Sequence, residues 1–563
     1  MSQGENGFED MLHAFLLEGV QELSCLVYGT SYKESSQDNL KKKLAATASK
    51  RSMYGFSLPG DAVAGADAEE LTLALLAKGF CDKTTSHGVA HLYQASSHGK
   101  KVFWAVLSLL ALGALVFHMI ELVSAYMKFD KSTDVRVNNS IRQLNFPAVT
   151  ICNNNMIRTS KIGVSLNNLV SDASNKEDRA TARQEIGNTI AYEYSLMTDL
   201  DLKWELGHQF ENMTIFAKYA YQDAYDEFVH IFNPWHGNCY TYNHHSATNR
   251  VQSTRAGPAN GLWMFINIEQ YEYIPFLTEA SGLKVLVHDP GTTPFPEDGG
   301  ITVPPNTLTN LAIKKTEFQR INGRFGDCLK PNDDQPSTIY GFEYGYSYSK
   351  PACERSCLQE QVILQCGCFV PEIPYNSTFF GKTVEPCESQ GQQSVCMAEG
   401  WSQFSAGDIP CDECRQPCDQ DLYEVSVSST TWPSPTYMPD LKREVEDERP
   451  VLFETLTSHY ELADTIALPI KENFLQLQIF YETLSVTQIS ESPSVTDFQF
   501  ISDFGGALGL WVGWSMLTIF EFFEYTVDIL VFCCVKYKSN KKSRKTHPNS
   551  QRITVQETSM HQT

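Results

Sequence analysis

The sequence predicts an α+β membrane protein in which two membrane-spanning helices flank a large, disulfide-rich extracellular domain. Three observations carry that expectation: apolar stretches at residues 102–126 and 504–535, twelve of the 16 cysteines between them, and strand-like segments beside each stretch. A chain of 563 residues has room for three or four domains at roughly 150 residues each. Its mean hydropathy of -0.27 is an average that conceals two spans of about 20 residues. The net charge of -23 argues against a general nucleic-acid binder, which needs basic surface to displace counterions from phosphates. A cationic partner, or a cation path lined by acids, fits better.

Residues 1–101 form the first region. Phe8, Met11, Leu12, Phe15, Leu16, Val20 and Leu23 fall on one helical face, residues 30–66 read as a polar linker, and Glu69 to Lys78 read as a second helix stopped by Gly79. No basic n-region with a compact apolar stretch precedes Val102, so the first span is expected to act as its own signal-anchor. That span, Val102 to Tyr126, is long enough to cross about 30 Å of hydrocarbon. His118 and Glu121 in its outer third read as snorkelling or facing partner helices, and no role is assigned to them. Lys100 and Lys101 before this span, and Lys536, Lys538, Lys541, Lys542, Arg544 and Lys545 after the second, place both termini in the cytoplasm and residues 127–503 outside.

Sequons at Asn138, Asn212 and Asn376 agree with an exterior loop. So do its cysteines, Cys152, Cys239, Cys328, Cys353, Cys357, Cys366, Cys368, Cys387, Cys396, Cys411, Cys414 and Cys418, an even number from which disulfides are expected. Their pairing cannot be read off, since about ten thousand combinations exist. A zinc reading of Cys411-x-x-Cys414 competes poorly with so many nearby partners outside a cell. Cys25, Cys81, Cys533 and Cys534 are expected to stay reduced, the last two as candidates for palmitoylation at the inner membrane face. Residues 128–503 hold 27 basic against 50 acidic side chains while the remainder balances at 17 each. Acidic walls of that kind either solubilise a domain or concentrate cations near a pore mouth. Phe146 to Cys152 and Asn473 to Tyr481 read as strands, the latter alternating Leu475, Leu477, Ile479 and Tyr481 with Gln476, Gln478 and Phe480; a sheet built from both ends of the loop is expected. Helical stretches lie between them, in Asn168 to Tyr225.

The second apolar stretch, Phe504 to Val535, exceeds what one straight helix needs. Gly505, Gly506, Gly509 and Gly513 allow either a break that lines a cavity or a tilted helix packed on its glycines. Glu521, Glu524 and Asp528 follow at spacings of three and four, which puts three carboxylates on one helix face with no basic partner in either span. They face a water-filled path or, alternatively, lie solvated at the inner interface. Two helices cannot enclose a path, so several copies must surround an axis and each acid becomes a ring. Gly513-Trp514-Ser515 sits just above, where carbonyls or a hydroxyl can replace part of an ion's hydration. Residues 536–563 are a basic, then polar, tail expected to be disordered.

Ser86-His87-Gly88 before the first span, Phe146-Pro147-Ala148-Val149-Thr150-Ile151-Cys152-Asn153 after it, and Gly237-Asn238-Cys239-Tyr240-Thr241-Tyr242-Asn243 are specific in combination with Cys353-x3-Cys357, Cys366-Gly-Cys368 and Gly513-Trp514-Ser515. From about His87 to Asp528 the chain resembles the epithelial sodium channel/degenerin superfamily, whose His-Gly motif, first strand and G/S-x-S selectivity motif these segments match. The resemblance implies a homo- or heterotrimeric, sodium-conducting, amiloride-blocked channel of the plasma membrane, its extracellular domain a β core with peripheral helices. It implies a selectivity filter and pore at Gly513, Trp514, Ser515, Glu521, Glu524 and Asp528. It places His87 and Gly88 in a re-entrant segment of the inner pore, and makes Ser502 a gating position sensitive to side-chain size. No cofactor or metal is implied.

Family members open to different stimuli. Acid-sensing members carry a further cysteine ahead of an aromatic-Gly-x-Cys turn; here Ala312 stands near that place and Phe325-Gly326-Asp327-Cys328 forms the turn. Residues 504–513 look more like the invertebrate FMRFamide-type peptide-gated channels. The expectation is therefore opening by an extracellular neuropeptide, with proton-gated or constitutive opening as the alternatives. No HExxH or G-x-S-x-G marks an ectoenzyme, a surface binding protein leaves the acids of the second span unexplained, and sparse basic residues speak against an ATP-gated receptor.

Overall fold

The computed structural model describes residues 73–545 apart from 87, 162, 164–167, 169–170, 172–177, 275–277, 332–334, 410 and 460–466. The expected helix at Phe8 to Leu23, the linker at 30–66, Cys25, His87 and the tail beyond 545 lie outside the described residues. The chain divides into two compact units, residues 111–511 and the flanking segments up to 110 and from 512 onward.

In the flanking unit, α1 (Leu73–Lys83) runs through Gly79, against the expectation that Gly79 ends it. A helix-interior glycine costs about 1 kcal/mol relative to alanine. Packing of the next residue overrides that cost: the Phe80 ring lies 4.5 Å from Tyr525 and 4.9 Å from Phe522. A short α2 (Val89–Gln94) precedes α3 (His98–Met127), which contains the whole predicted first span. Among the described residues α3 is the one helix long and apolar enough to cross a membrane by length and composition.

The central unit is built on two sheets around one core. The larger runs β13 (Asp419–Thr431), β12 (Thr307–Gln319), β14 (Phe474–Pro493), β9 (Leu262–Asn267), β4 (Thr214–Tyr219), β5 (Gln222–Asp223), and β1 (Lys131–Asn138) pairs with the far half of β14. The smaller runs β11 (Ile301–Val303), β10 (Leu283–His288), β3 (Ala148–Asn153), β7 (Gly237–Tyr242), β6 (Phe228–Asn233), and a two-stranded ribbon joins β2 (Leu144–Asn145) to β8 (Gln252–Ser253). Leu475, Leu477, Ile479 and Tyr481 of β14 are buried as their alternation requires, against Val149 and Ile151 of β3 and Leu262, Met264, Leu311 and Ile313 of the other strands. β3 is buried on both faces, which explains its continuous apolar reading.

A sheet built from both ends of the loop does form, but its first strand is β1 rather than Phe146 to Cys152. Lys131 pairs with Pro493 and Asn138 with Val486, antiparallel, so the residues leaving α3 are hydrogen-bonded to those entering the second apolar segment. β3 belongs to the smaller sheet and meets β14 through side chains: Tyr481 Oη donates to the Asn145 carbonyl at 2.6 Å, and the Phe146 ring lies 6.0 Å from Tyr481.

Helices cover the sheets: α4 (Arg179–Leu196), α5 (Lys350–Cys366), α6 (Gln392–Ala406), α7 (Met438–Glu448) and α8 (Pro450–His459). All twelve predicted cysteines pair, as Cys152–Cys239, Cys328–Cys418, Cys353–Cys414, Cys357–Cys411, Cys366–Cys396 and Cys368–Cys387. Cys353 and Cys357 are one turn apart on α5, so one helix face holds both sulfurs of the Cys411-x-x-Cys414 segment, and the zinc reading loses its ligands. The far end of α5 is tied to α6 through Cys366 and Cys396.

The second apolar segment is broken. α9 (Asp497–Val512) and α10 (Met516–Lys545) are separated by Gly513, Trp514 and Ser515, and Gly513 has φ 70°, a left-handed conformation that a glycine adopts without penalty. Of the two alternatives for this stretch, the break is the one observed. The helix also continues through the basic run to Lys545, beyond the expected end at Val535.

Candidate functional site

The break leaves the last carbonyls of α9 and the first N–H groups of α10 without intrahelical partners, and each must be satisfied otherwise. Ser515 caps α10 in a reciprocal arrangement: the Thr518 N–H donates to Ser515 Oγ at 3.3 Å and the Ser515 N–H to Thr518 Oγ1 at 3.1 Å. Thr518 is fully buried, whereas Ser515 stays exposed. Trp514 turns inward, its ring 5.0 Å from Phe522 and its Nε1 donating to Ser86 Oγ at 2.9 Å.

Ser86 belongs to the loop between α1 and α2, and that loop is bound along α10 by hydroxyls. Thr85 Oγ1 lies 2.8 Å from Thr518 Oγ1, and Glu521 Oε2 accepts from the Thr85 N–H at 2.9 Å and from Thr84 Oγ1 at 3.2 Å. The carboxylate is thereby given two donors, which offsets part of its desolvation. Gly88 follows with φ 87° at the start of α2, and a Cβ there would come within 2.5 Å of Ser108 Oγ on α3. Gly88 therefore has both a conformational and a steric reason to lack a side chain. Glu524 is exposed and Asp528 half-buried, one and two turns beyond Glu521 on the continuous α10.

The structure thus brings Trp514, Ser515 and Glu521 into one cluster with Thr84, Thr85, Ser86 and Thr518, Gly513 adjoining it in sequence, while Gly88 packs toward Ser108. Thr84, Thr85 and Thr518 escaped sequence reasoning, which used Ser86 only within the Ser86-His87-Gly88 motif; the run Thr84-Thr85-Ser86 ahead of the glycine, and Ser515-x-x-Thr518 at a helix start, are the signals that could have marked them. Ser502 is exposed on α9, and at Gly505 and Gly506 an added Cβ meets only open space. His118, to which no role was given, accepts from Trp511 Nε1 at 3.4 Å.

A second cluster lies in the central unit where α3 ends and α9 begins. Asp497, the first residue of α9, accepts from Tyr126 Oη at 2.7 Å, and its Oδ1 and Oδ2 both accept from Arg324 Nη2 at 2.7 and 2.5 Å. Arg324 also lies over the Tyr126, Phe129 and Phe325 rings, and Tyr126 stacks on Phe500 at 4.4 Å. This turn, Phe325-Gly326-Asp327-Cys328, is tied back to residues 411–418, which carry Cys411, Cys414 and Cys418, by Cys328–Cys418 and by Arg415–Asp327 at 2.6 Å. The turn was legible in the sequence, its docking on two helix ends was not. Asn138 and Asn212 are exposed and Asn376 is half-buried, its Oδ1 capping residues 377–380 and its Nδ2 donating to Glu343 at 2.6 Å.

A helix broken at residues 513–515 and followed along α10 by Glu521, Glu524 and Asp528, with the 84–86 loop bound beside it, is compatible with an ion channel subunit. Residues 80–525 match the profile of the amiloride-sensitive sodium channel family. The chain is 26% identical to the epithelial sodium channel subunit alpha of Cavia porcellus over 557 residues, covering 83% of this chain and 77% of that protein. Against the Homo sapiens subunit alpha it is 26% identical over 560 residues, covering 83% and 79%. Against the degenerin-like protein unc-105 of Caenorhabditis elegans it is 30% identical over 351 residues, covering 60% and 36%. The chain belongs to the epithelial sodium channel/degenerin superfamily of amiloride-sensitive sodium channels.

Proposed function

We propose that three copies of this chain form a sodium-selective, amiloride-blocked channel of the plasma membrane, opened by an extracellular neuropeptide of the FMRFamide type. In this reading residues 102–126 and 504–535 are the spans, 127–503 face outward with glycans on Asn138, Asn212 and Asn376, and residues 1–101 and 536–563 are cytoplasmic. The observation that carries it is the break at Gly513–Ser515 above Glu521, Glu524 and Asp528. Sodium sheds part of its hydration at the gap while the acids hold cations below it, and the segment with His87 and Gly88 lines the inner path. Ser502 tunes opening by its size.

Two places in the central unit are poorly suited to sensing mild acid. Burial pushes His244 and His288 of the central unit down to about 4 each, so neither imidazole charges in mild acid. Lys315 Nζ bridges Glu317 at 2.8 Å and Asp421 at 2.7 Å in the larger sheet. Burial alone would raise the Glu317 carboxyl, but hydrogen bonds from Lys315 and Gln488 outweigh it and hold the group below its usual range. What Glu317 contributes to stability is therefore complete at neutral pH and is lost only as pH falls through that depressed value.

Voltage-clamp recording from cells expressing this chain alone tests the proposal. An inward current evoked by FMRFamide, abolished by sodium replacement and blocked by amiloride, is expected. A current evoked by acid and not by peptide moves the chain to the proton-gated reading, and no current despite surface expression contradicts a self-sufficient homotrimer.

A further inference from the structure

The short helix Ile339–Tyr344 of the central unit is anchored through one side. Ile339 and Tyr340 are buried, Thr338 Oγ1 caps the turn by accepting from the Gly341 N–H at 3.0 Å, and the two residues that follow, Phe342 and Glu343, are exposed. Phe342 is 54% exposed, and its ring lies 5.5 Å from that of the half-buried Phe379. An exposed ring that extends a half-buried one is an apolar surface that marks a contact. We infer that its cover comes from this chain: the first sugar of the N-glycan on Asn376 lies on the Phe342 and Phe379 rings. The inference rests on the outward-facing reading of residues 127–503 above and gives that glycan a structural role.

Asn376 is tied to both ring-bearing segments. Its Nδ2 donates at 2.6 Å to Glu343, the neighbour of Phe342, and its Oδ1 accepts from the Thr378 and Phe379 N–H groups at 2.8 and 3.2 Å. These bonds fix the plane of the amide from which a glycan grows, within the sequon Asn376-Ser377-Thr378. Attachment is a group transfer: Nδ2 bonds to C1 of an N-acetylglucosamine as the bond from that carbon to a lipid diphosphate breaks, and the displaced Nδ2 hydrogen leaves as a proton. The product is a secondary amide, planar and trans, so C1 lies on the same side of the C–N bond as Oδ1. The sugar therefore leaves on the side of the Thr378 and Phe379 N–H groups, and the hydrogen that remains on Nδ2, on the opposite side, is kept for Glu343.

Sugar and rings suit each other. A β-linked pyranose carries C–H bonds on its faces and hydroxyls around its rim, so a face laid on an aromatic ring sets positive C–H groups on the negative π surface while the hydroxyls stay in water. The rings beneath are held in place, so little ordering is required when the sugar settles. Tyr375 stacks on Phe369 at 4.3 Å and lies parallel to Phe380 at 5.9 Å, its Oη donates to the Lys382 carbonyl at 2.5 Å and accepts from the Val384 N–H at 3.0 Å, and Phe380 meets Phe379 edge-on at 4.8 Å. Phe379 and Phe380 pack in turn on the core that contains Tyr340 and Val370. The other two sequons serve as references: Asn138 is exposed at the end of β1, and the exposed Asn212 reaches Gln209 Oε1 through Nδ2 at 3.4 Å, a long and weak restraint.

The test uses the full chain purified from cells without denaturation, with a peptide-N-glycosidase as probe and site-resolved mass spectrometry as readout. Release at Asn376 is expected to be about tenfold slower than at Asn138 and Asn212, a difference that vanishes once the protein is denatured. Phe342→Ser removes the exposed ring at little cost to folding, and is expected to bring release at Asn376 to within about twofold of the other two sites, with occupancy and surface expression kept. Slow release that Phe342→Ser leaves unchanged, or equally fast release at all three sites in the native chain, overturns the stacking and leaves the outward-facing reading standing. An unmodified Asn376 beside modified Asn138 and Asn212 does the same. Absence of glycan from all three sites overturns the inference and the outward-facing reading together.

Discussion

Glu521→Gln lowers single-channel sodium conductance by about tenfold while surface expression is retained. In a three-copy assembly this change removes three negative charges from one level of the path, and rings of charge raise local cation concentration by factors of ten to a thousand. Glutamine keeps a carbonyl oxygen where Glu521 Oε2 accepts from the Thr85 N–H and Thr84 Oγ1. The substitution therefore isolates charge from anchoring, which Glu521→Ala does not, since alanine also frees the 84–86 loop from α10. Conductance and reversal potential identical to wild type in Glu521→Gln would take this acid out of the ion path.

Cys152→Ser prevents the chain from reaching the cell surface. The Cys152–Cys239 bond joins register partners on β3 and β7, both fully buried, and spans 87 residues of sequence. Removing a native disulfide from a secreted-type domain costs about 2–5 kcal/mol, and long loops sit toward the upper part of that range in the chain-entropy account. The substitution also buries a hydroxyl and strands the Cys239 thiol in the core. Surface biotinylation checks it. The Cys368–Cys387 bond spans 19 residues, and Cys387→Ser is expected to reduce surface protein less than Cys152→Ser. Equal surface levels of Cys152→Ser and wild type would contradict the central place of this bond in the core.

What was legible in the sequence follows from which interactions leave a periodic trace. β14 was readable because its core face alternates, and β3 because both its faces are buried. β1, Lys-Ser-Thr-Asp-Val-Arg-Val-Asn, is exposed along most of its length and has no apolar face, so nothing in it announces that it pairs with β14. That is why the sheet joining both ends of the loop was assigned to the wrong first strand. The even cysteine count foretold complete pairing, but the partners are set by tertiary folding; only the one-turn spacing of Cys353 and Cys357 hints at a shared target. Gly79 misled because local propensity was overruled by stacking of Phe80 on residues far along the chain.

The candidate site divides the same way. The glycines, the acids at spacings of three and four and the Gly-Trp-Ser step are local; the glycines allowed a break within residues 505–513 or an unbroken tilted helix, and the break observed falls at residues 513–515. The hydroxyls that fasten the 84–86 loop to α10, and the meeting of Tyr126, Arg324 and Asp497, depend on residues hundreds of positions apart and have no local signature.

The central claim is that ions pass the gap between α9 and α10, and thiol accessibility at Ser515 tests it most directly. Ser515 is exposed beside the break, so Ser515→Cys in an open channel is expected to react with a small cationic thiol reagent applied in solution, with amiloride-sensitive current falling as it reacts. A sustained current in Ser515→Cys that the reagent leaves untouched, with the same cysteine shown by labelling to be modified, would place the ion path elsewhere.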